Sequence, residues 1–323
     1  MQRARYRLVT RSDFDGLVCA ALLREIDLID DILFVHPKDM QDGRIEISGR
    51  DITANLPYVP TAHRVFDHHA SEFERNIGDR DNHVLDPDAP STARVVHEYF
   101  GGAERFPGIG EDLLEAVDKA DSARYGIDDI LDPSGWTLLN YLMDARTGLG
   151  RFREFRISNY QLMLRLVDDC RSLSIRQILA LPDVRERVEL YDAHRAKAIA
   201  QIRRCSTVHD KVVVLDLRGE ETIYATNRFM VYALFPQCTL SIHRMWGLRR
   251  QNTVLAIGKS ILDRSARMNI GSLCLRYGGG GHASAGTCQI ENSWSDRITD
   301  EIVATLESYE AARLTVARTP GGA

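Results

Sequence analysis

A chain of 323 residues, 44% hydrophobic and 27% charged, has the composition of an ordinary globular protein, with length for about two domains. The net charge of −5 excludes a globally basic coat for long nucleic acid but leaves room for a local basic groove. No apolar run approaches bilayer length, and the opening MQRARYRLVT lacks the apolar core of a signal peptide. The six cysteines are scattered without a CxxC pair and read as reduced packing thiols of a cytoplasmic protein with no membrane partner.

In chain order, YRLVT (6–10) reads as a short buried strand, LVCAALLREIDL (17–28) as a helix, and DILFVHP (31–37) as a second strand. RIEISG (44–49) and HRVFDHH (63–69) read as two more strands. This alternation predicts a parallel α/β sheet. STARVVHEYF (91–100) is a helix capped by Ser91 or Thr92, and EDLLEAVDKAD (111–121) is another. Residues 150–204 are helical throughout; strands return at KVVVLDL (211–217), QCTLSIHRMW (237–246) and NTVLAIGKS (252–260). A boundary near 190–210 follows, with no internal repeat and no low-complexity segment beyond the tail TPGGA.

In RSDFDG, Asp13 and Asp15 stand at a strand end, where α/β sheets bind ligands. Alternate residues of an extended segment face one side, and two neighbouring carboxylates repel unless a cation sits between them. A solvated acidic turn fits the same residues. In VFDHHAS, Asp67, His68 and His69 close a strand. A carboxylate with two imidazoles suits a divalent ion of the manganese class, one histidine ligating while the other orients or contacts substrate.

These two motifs, with GGGGHASAG (278–286), resemble the DHH phosphoesterase superfamily, whose activities run from single-strand exonucleases and nanoRNases to exopolyphosphatases. The resemblance spans most of the chain. SDFDG is similar to the first motif, GRDITANLPY occupies the place of the second with Asp51 as bridging carboxylate, and Asp67, His68 and His69 form the third. DKADSARY resembles the fourth, with Asp121 rather than Asp118 as the ligand, and GGGGHASAG resembles the signature of a DHH-associated domain. The implied fold is α/β: a parallel-sheet DHH domain with a helical connector over 1–190 and a smaller α/β DHH-associated domain over 205–323. The family carries a His or Asp near where Arg11 stands. Arginine cannot ligate a metal, so either one site has fewer protein ligands or Arg11 binds a substrate phosphate.

Residues 241–276 carry seven Lys and Arg (244, 249, 250, 259, 264, 267 and 276) against one acid, Asp263. Lys259, Ser260, Arg264 and Arg267 precede the glycine run, whose N–H groups at Gly279, Gly280 and Gly281 would form a phosphate nest with His282 beside it. A tight turn with a solvated charged face is the alternative.

The resulting expectation is a metal-dependent phosphoesterase of short RNA or DNA or small nucleotides, with one or two Mn2+ (or Mg2+) ions. Asp13, Asp15, Asp51, His68 and Asp121 are the expected ligands. Asp67 and His69 are the catalytic pair, and the C-terminal domain selects substrate. An exopolyphosphatase or pyrophosphatase acting on polyphosphate, and a non-catalytic nucleotide-binding protein with Arg11 at a ligand position, are the alternatives. The oligomeric state, a homodimer included, is left open.

Overall fold

The computed structural model describes residues 5–69, 80–152 and 154–317; the tail TPGGA and the end of VFDHHAS lie outside the described residues. The chain forms two compact units, one from Met1–Tyr125 with Pro133–Tyr191, the other from Gly126–Asp132 with Asp192–Ala323. The division falls inside one long helix, Pro182–Cys205.

The first unit is built on a parallel sheet in the order β2-β1-β3-β4-β5: β1 (Tyr6–Arg11), β2 (Ile29–Val35), β3 (Asp51–Ala54), β4 (Arg64–Asp67) and β5 (His83–Leu85). The short strands β3 and β4 are mostly buried, as expected of parallel strands covered on both faces. Helix α1 (Phe14–Glu25) is apolar around most of its circumference, and Leu17 through Leu23 are fully buried. Asp13 caps it, accepting from Gly16 N–H. Gly16 is required there, because a Cβ would lie 2.0 Å from the Arg11 carbonyl oxygen. Asp15 already belongs to the first turn of α1, so the two aspartates do not alternate along an extended segment.

The expected strand over 44–49 does not form. Ile45 and Ile47 instead pack against Val9, Val35, Met40 and Leu56, and the strand begins at Asp51. The helices α2 (Thr92–Tyr99), capped by Ser91, and α3 (Glu111–Asp121) complete the frame around the carboxyl ends of the strands.

The second unit has a mixed sheet in the order β10-β11-β9-β8-β7-β6. Its strands are β6 (Ser206–His209), β7 (Val212–Asp216), β8 (Leu240–Trp246), β9 (Thr253–Lys259), β10 (Gly280–His282) and β11 (Ala285–Ile290). Leu255 and Ile257 alternate with more exposed neighbours, and together with Leu240 and Ile242 they pack on α4 (Ile270–Leu275) and α5 (Ser295–Ala317).

The glycine run is an edge strand rather than a free nest: Gly280 pairs with Thr287 and His282 with Ala285, antiparallel. Gly281 has φ +155°, and a Cβ there would lie 2.3 Å from the Ala285 carbonyl oxygen. No helix among the described residues is long and apolar enough to cross a membrane.

Candidate active site

The sheet order of the first unit places its switch point between β1 and β3, and ligands of such sheets bind outside the carboxyl ends of the strands there. The end of β1 supplies Arg11, the loop after it Asp13, and the first turn of α1 Asp15. The end of β4 supplies Asp67, His68 and His69, and the last turn of α3 supplies Asp121.

Three of these residues converge. Asp15, His68 and Asp121 each offer one ligand atom, and these atoms all lie within 4.8 Å of one another. His68 Nδ1 is 3.0 Å from the Ala89 carbonyl oxygen. A carbonyl only accepts, so the neutral ring carries its proton on Nδ1 and turns the Nε2 lone pair inward. His68 Nε2 lies 2.8 Å from Asp121 Oδ2 yet is a buried atom without a hydrogen-bond partner. An imidazole lone pair and two carboxylates facing one point suit a divalent cation such as Mn2+ or Mg2+.

The electrostatics point the same way. Burial, with Asp121 and Asp13 nearby, pushes the Asp15 carboxyl up to about 7. Burial pulls His68 down, but the Asp121 and Asp15 carboxylates outweigh it and hold the ring up at about 9. A cation must displace these protons, so its affinity should fall as pH is lowered from 9 towards 6. Titration calorimetry with Mn2+ in buffers of different ionisation enthalpy is expected to report proton release at pH 7. Binding with no proton release would contradict this site.

Asp13 stands outside that trio. Its Oδ2 is 2.8 Å from Arg11 Nε, and its Oδ1 accepts from Gly16 N–H at 3.0 Å and Asn55 Nδ2 at 3.1 Å. Asp67 is almost fully buried, and its Oδ1 takes His69 Nδ1 at 2.7 Å and the His68 N–H at 2.9 Å. The His69 ring is thus oriented from behind while a third of its side chain reaches solvent. Burial lowers the His69 pKa, but the hydrogen bond and charge of Asp67 together with the Asp121 carboxylate outweigh it, and the net shift is upward.

Asp51 requires a correction. It opens β3 opposite Arg7, at the amino end of the sheet, whereas Ala54 at the other end lies opposite Thr10. There it pairs with Arg7 Nε at 2.6 Å and accepts from Ser48 N–H at 2.7 Å, so it cannot bridge ions at the carboxyl ends. The residue that follows β3 and reaches Asp13 is Asn55, which the sequence reading missed because an amide is not a typical metal ligand. Asp118 accepts from Ser91 Oγ and from both Nε and a terminal nitrogen of Arg94, which makes it a structural ion pair. Arg146, held by Asp144 at 2.7 Å, also acts on Asp13 and was missed.

In the second unit the seven basic residues do not form one patch. Arg244 is buried against Asp216 and Asp296. Arg249 and Arg250 sit in the β8–β9 turn, the length of a seven-residue strand from Lys259, about 20 Å. Lys259 and His282 lie at one end of the sheet, where Lys259 N–H donates to the Ser284 carbonyl, and the charge of Arg267 acts on Lys259, while Arg264 Nε donates to the Ile261 carbonyl. Glu310 joins them, accepting from the Arg267 backbone N–H at 3.1 Å. Ser260 requires a second correction: it is buried, and its Oγ accepts from Leu262 and Asp263 N–H, so it shapes the turn and faces no ligand.

No family model and no curated protein matches the chain. Among solved structures, it is similar to a pGpG-specific phosphodiesterase, PggH, from Vibrio cholerae, at 58% identity and TM-score 0.83, covering 94% of this chain and 99% of that one. It also shares its fold with an exopolyphosphatase-related protein from Bacteroides fragilis, at 13% identity and TM-score 0.52, covering 96% and 93% of the two chains.

Proposed function

The chain belongs to the DHH phosphoesterase family and is a phosphoesterase, and we propose that its substrate is the linear dinucleotide pGpG. The observation that carries this reading is the Asp15, His68 and Asp121 trio at the carboxyl ends of the strands, in a chain 58% identical to a phosphodiesterase of that specificity. The reaction adds water across the internal phosphodiester. The water oxygen joins phosphorus, the bond to the 3′-oxygen breaks, that oxygen takes a proton, and two molecules of GMP result.

Asp15, His68 and Asp121 would hold a divalent ion, for which we propose Mn2+. Such an ion polarises the phosphoryl group and lowers the pKa of a bound water. His69, oriented by Asp67 and with its pKa raised, is placed to donate a hydrogen bond or proton at the reacting phosphate. Lys259, Arg264, Arg267, His282 and the outer backbone edge of Gly280 and Gly281 are proposed to take part in substrate binding, the Gly279 N–H being held by the Cys274 carbonyl. The six free cysteines fit a reducing compartment, and we place the protein in the cytoplasm.

The reading is tested with a panel of pGpG, longer RNA, cyclic dinucleotides and polyphosphate, following products by chromatography. GMP from pGpG at the highest kcat/KM is expected. Preference for polyphosphate would overturn the substrate assignment. Arg264→Ala is expected to raise KM for pGpG about tenfold and leave kcat within twofold, since a contact away from the scissile phosphate binds ground and transition states alike. A fall in kcat with unchanged KM would contradict that role.

A further inference from the structure

The aspartates of the RSDFDG loop are held in different ways. Asp15 is turned inward to His68 and Asp121 and takes only uncharged donors, the N–H groups of Thr92 and Ala93 and the Cys19 thiol. Asp13 is paired with a full cation: Arg11 Nε is 2.8 Å from Oδ2, while Gly16 N–H and Asn55 Nδ2 occupy Oδ1. An ion on Asp13 would sit beside a guanidinium that never loses its charge, and two such cations repel. The other carboxylates are committed elsewhere: Asp67 to His69 and the His68 N–H, Asp51 to Arg7 at the opposite end of the sheet, and Asp118 to Arg94. Among the described residues, only Asp15, His68 and Asp121 form a group able to hold an ion.

Arg11 is about a third exposed and pairs with no carboxylate but Asp13 among the described residues. Nε faces Asp13, which leaves the terminal nitrogens as phosphate donors. We infer that the centre binds a single divalent ion, at Asp15, His68 and Asp121, and that Arg11, aimed by Asp13 and Asn55, supplies the second positive charge on the scissile phosphate. Asp13 is then a positioning residue and not a ligand. The role of Arg11 rests on the phosphodiesterase reading; the ion count does not.

The test counts Mn2+ per chain by equilibrium dialysis and elemental analysis, and separately measures pGpG turnover. One ion per wild-type chain is expected, none in His68→Ala, and one in Arg11→Ala. Turnover of Arg11→Ala is expected to fall about a hundredfold in kcat, the scale of removing one donor to developing charge. Arg11→Lys, or free guanidinium added to Arg11→Ala, should restore part of it, which a purely structural role would not allow. Two ions per wild-type chain would overturn the single-ion centre while leaving the phosphodiesterase reading intact. An Arg11→Ala kcat within threefold of wild type would overturn the role of Arg11. Failure of the Mn2+-loaded wild type to cleave pGpG would instead overturn the substrate assignment, with the ion count still standing.

Discussion

Replacing Asp15 by Asn is expected to lower kcat on pGpG about a thousandfold, with Mn2+ binding lost. Ion-assisted charge stabilisation supplies several kcal/mol, and each 1.36 kcal/mol is a decade in rate. The substitution keeps the side chain's volume and one acceptor for the backbone N–H groups of Thr92 and Ala93. It also removes a buried charge that is costly in the ion-free protein, where burial and the Asp121 and Asp13 carboxylates raise the Asp15 pKa to about 7. A group raised in this way destabilises the ion-free fold as pH rises through 4 to 7. The melting temperature of ion-free Asp15→Asn at pH 7 should therefore lie within a few degrees of wild type, while Mn2+ raises only the wild-type value. Scanning calorimetry with and without Mn2+ checks this. A kcat within tenfold of wild type would contradict ligation by Asp15.

The second large effect belongs to His69. Its Nδ1 is bound to the buried Asp67 at 2.7 Å, which leaves Nε2 as the exposed, working nitrogen. His69→Asn is expected to lower kcat by roughly 10²–10⁴, the range of general acid–base contributions, with Mn2+ affinity unchanged. Asp67→Asn should lower kcat in the same direction by releasing the ring. The raised His69 pKa means that the protonated donor persists above the ordinary histidine range and is lost as pH climbs through the raised value. Wild-type kcat should fall on that alkaline limb, and His69→Asn should lack it. A pH profile of the variant parallel to wild type would contradict the proton-donor role.

The parts of the site visible in the sequence were those whose chemistry is local. Asp67, His68 and His69 are adjacent at a strand end, and Asp121 stands in DKADSARY, which resembles the family's fourth motif. What was not visible depended on where strands begin and end. Ile45 and Ile47 alternate like a strand but bury their side chains without pairing, so β3 starts only at Asp51. That shift moves Asp51 to the amino end of the sheet and brings Asn55 to the carboxyl end. The glycine run has little intrinsic strand propensity; it becomes an edge strand because close packing of β10 on β11 and α4 admits no Cβ at Gly281 and Gly271. The basic stretch looked continuous because sequence distance conceals that a strand carries Arg249 and Lys259 to opposite ends.

The most direct test is hydrolysis of pGpG by protein stripped with a chelator, before and after Mn2+ is restored, for wild type and Asp15→Asn. The expected result is no GMP from the stripped wild type, full turnover on adding Mn2+, and turnover in Asp15→Asn at about a thousandth of that level. Stripped wild type or Mn2+-loaded Asp15→Asn producing GMP at near the full rate would contradict catalysis at this centre.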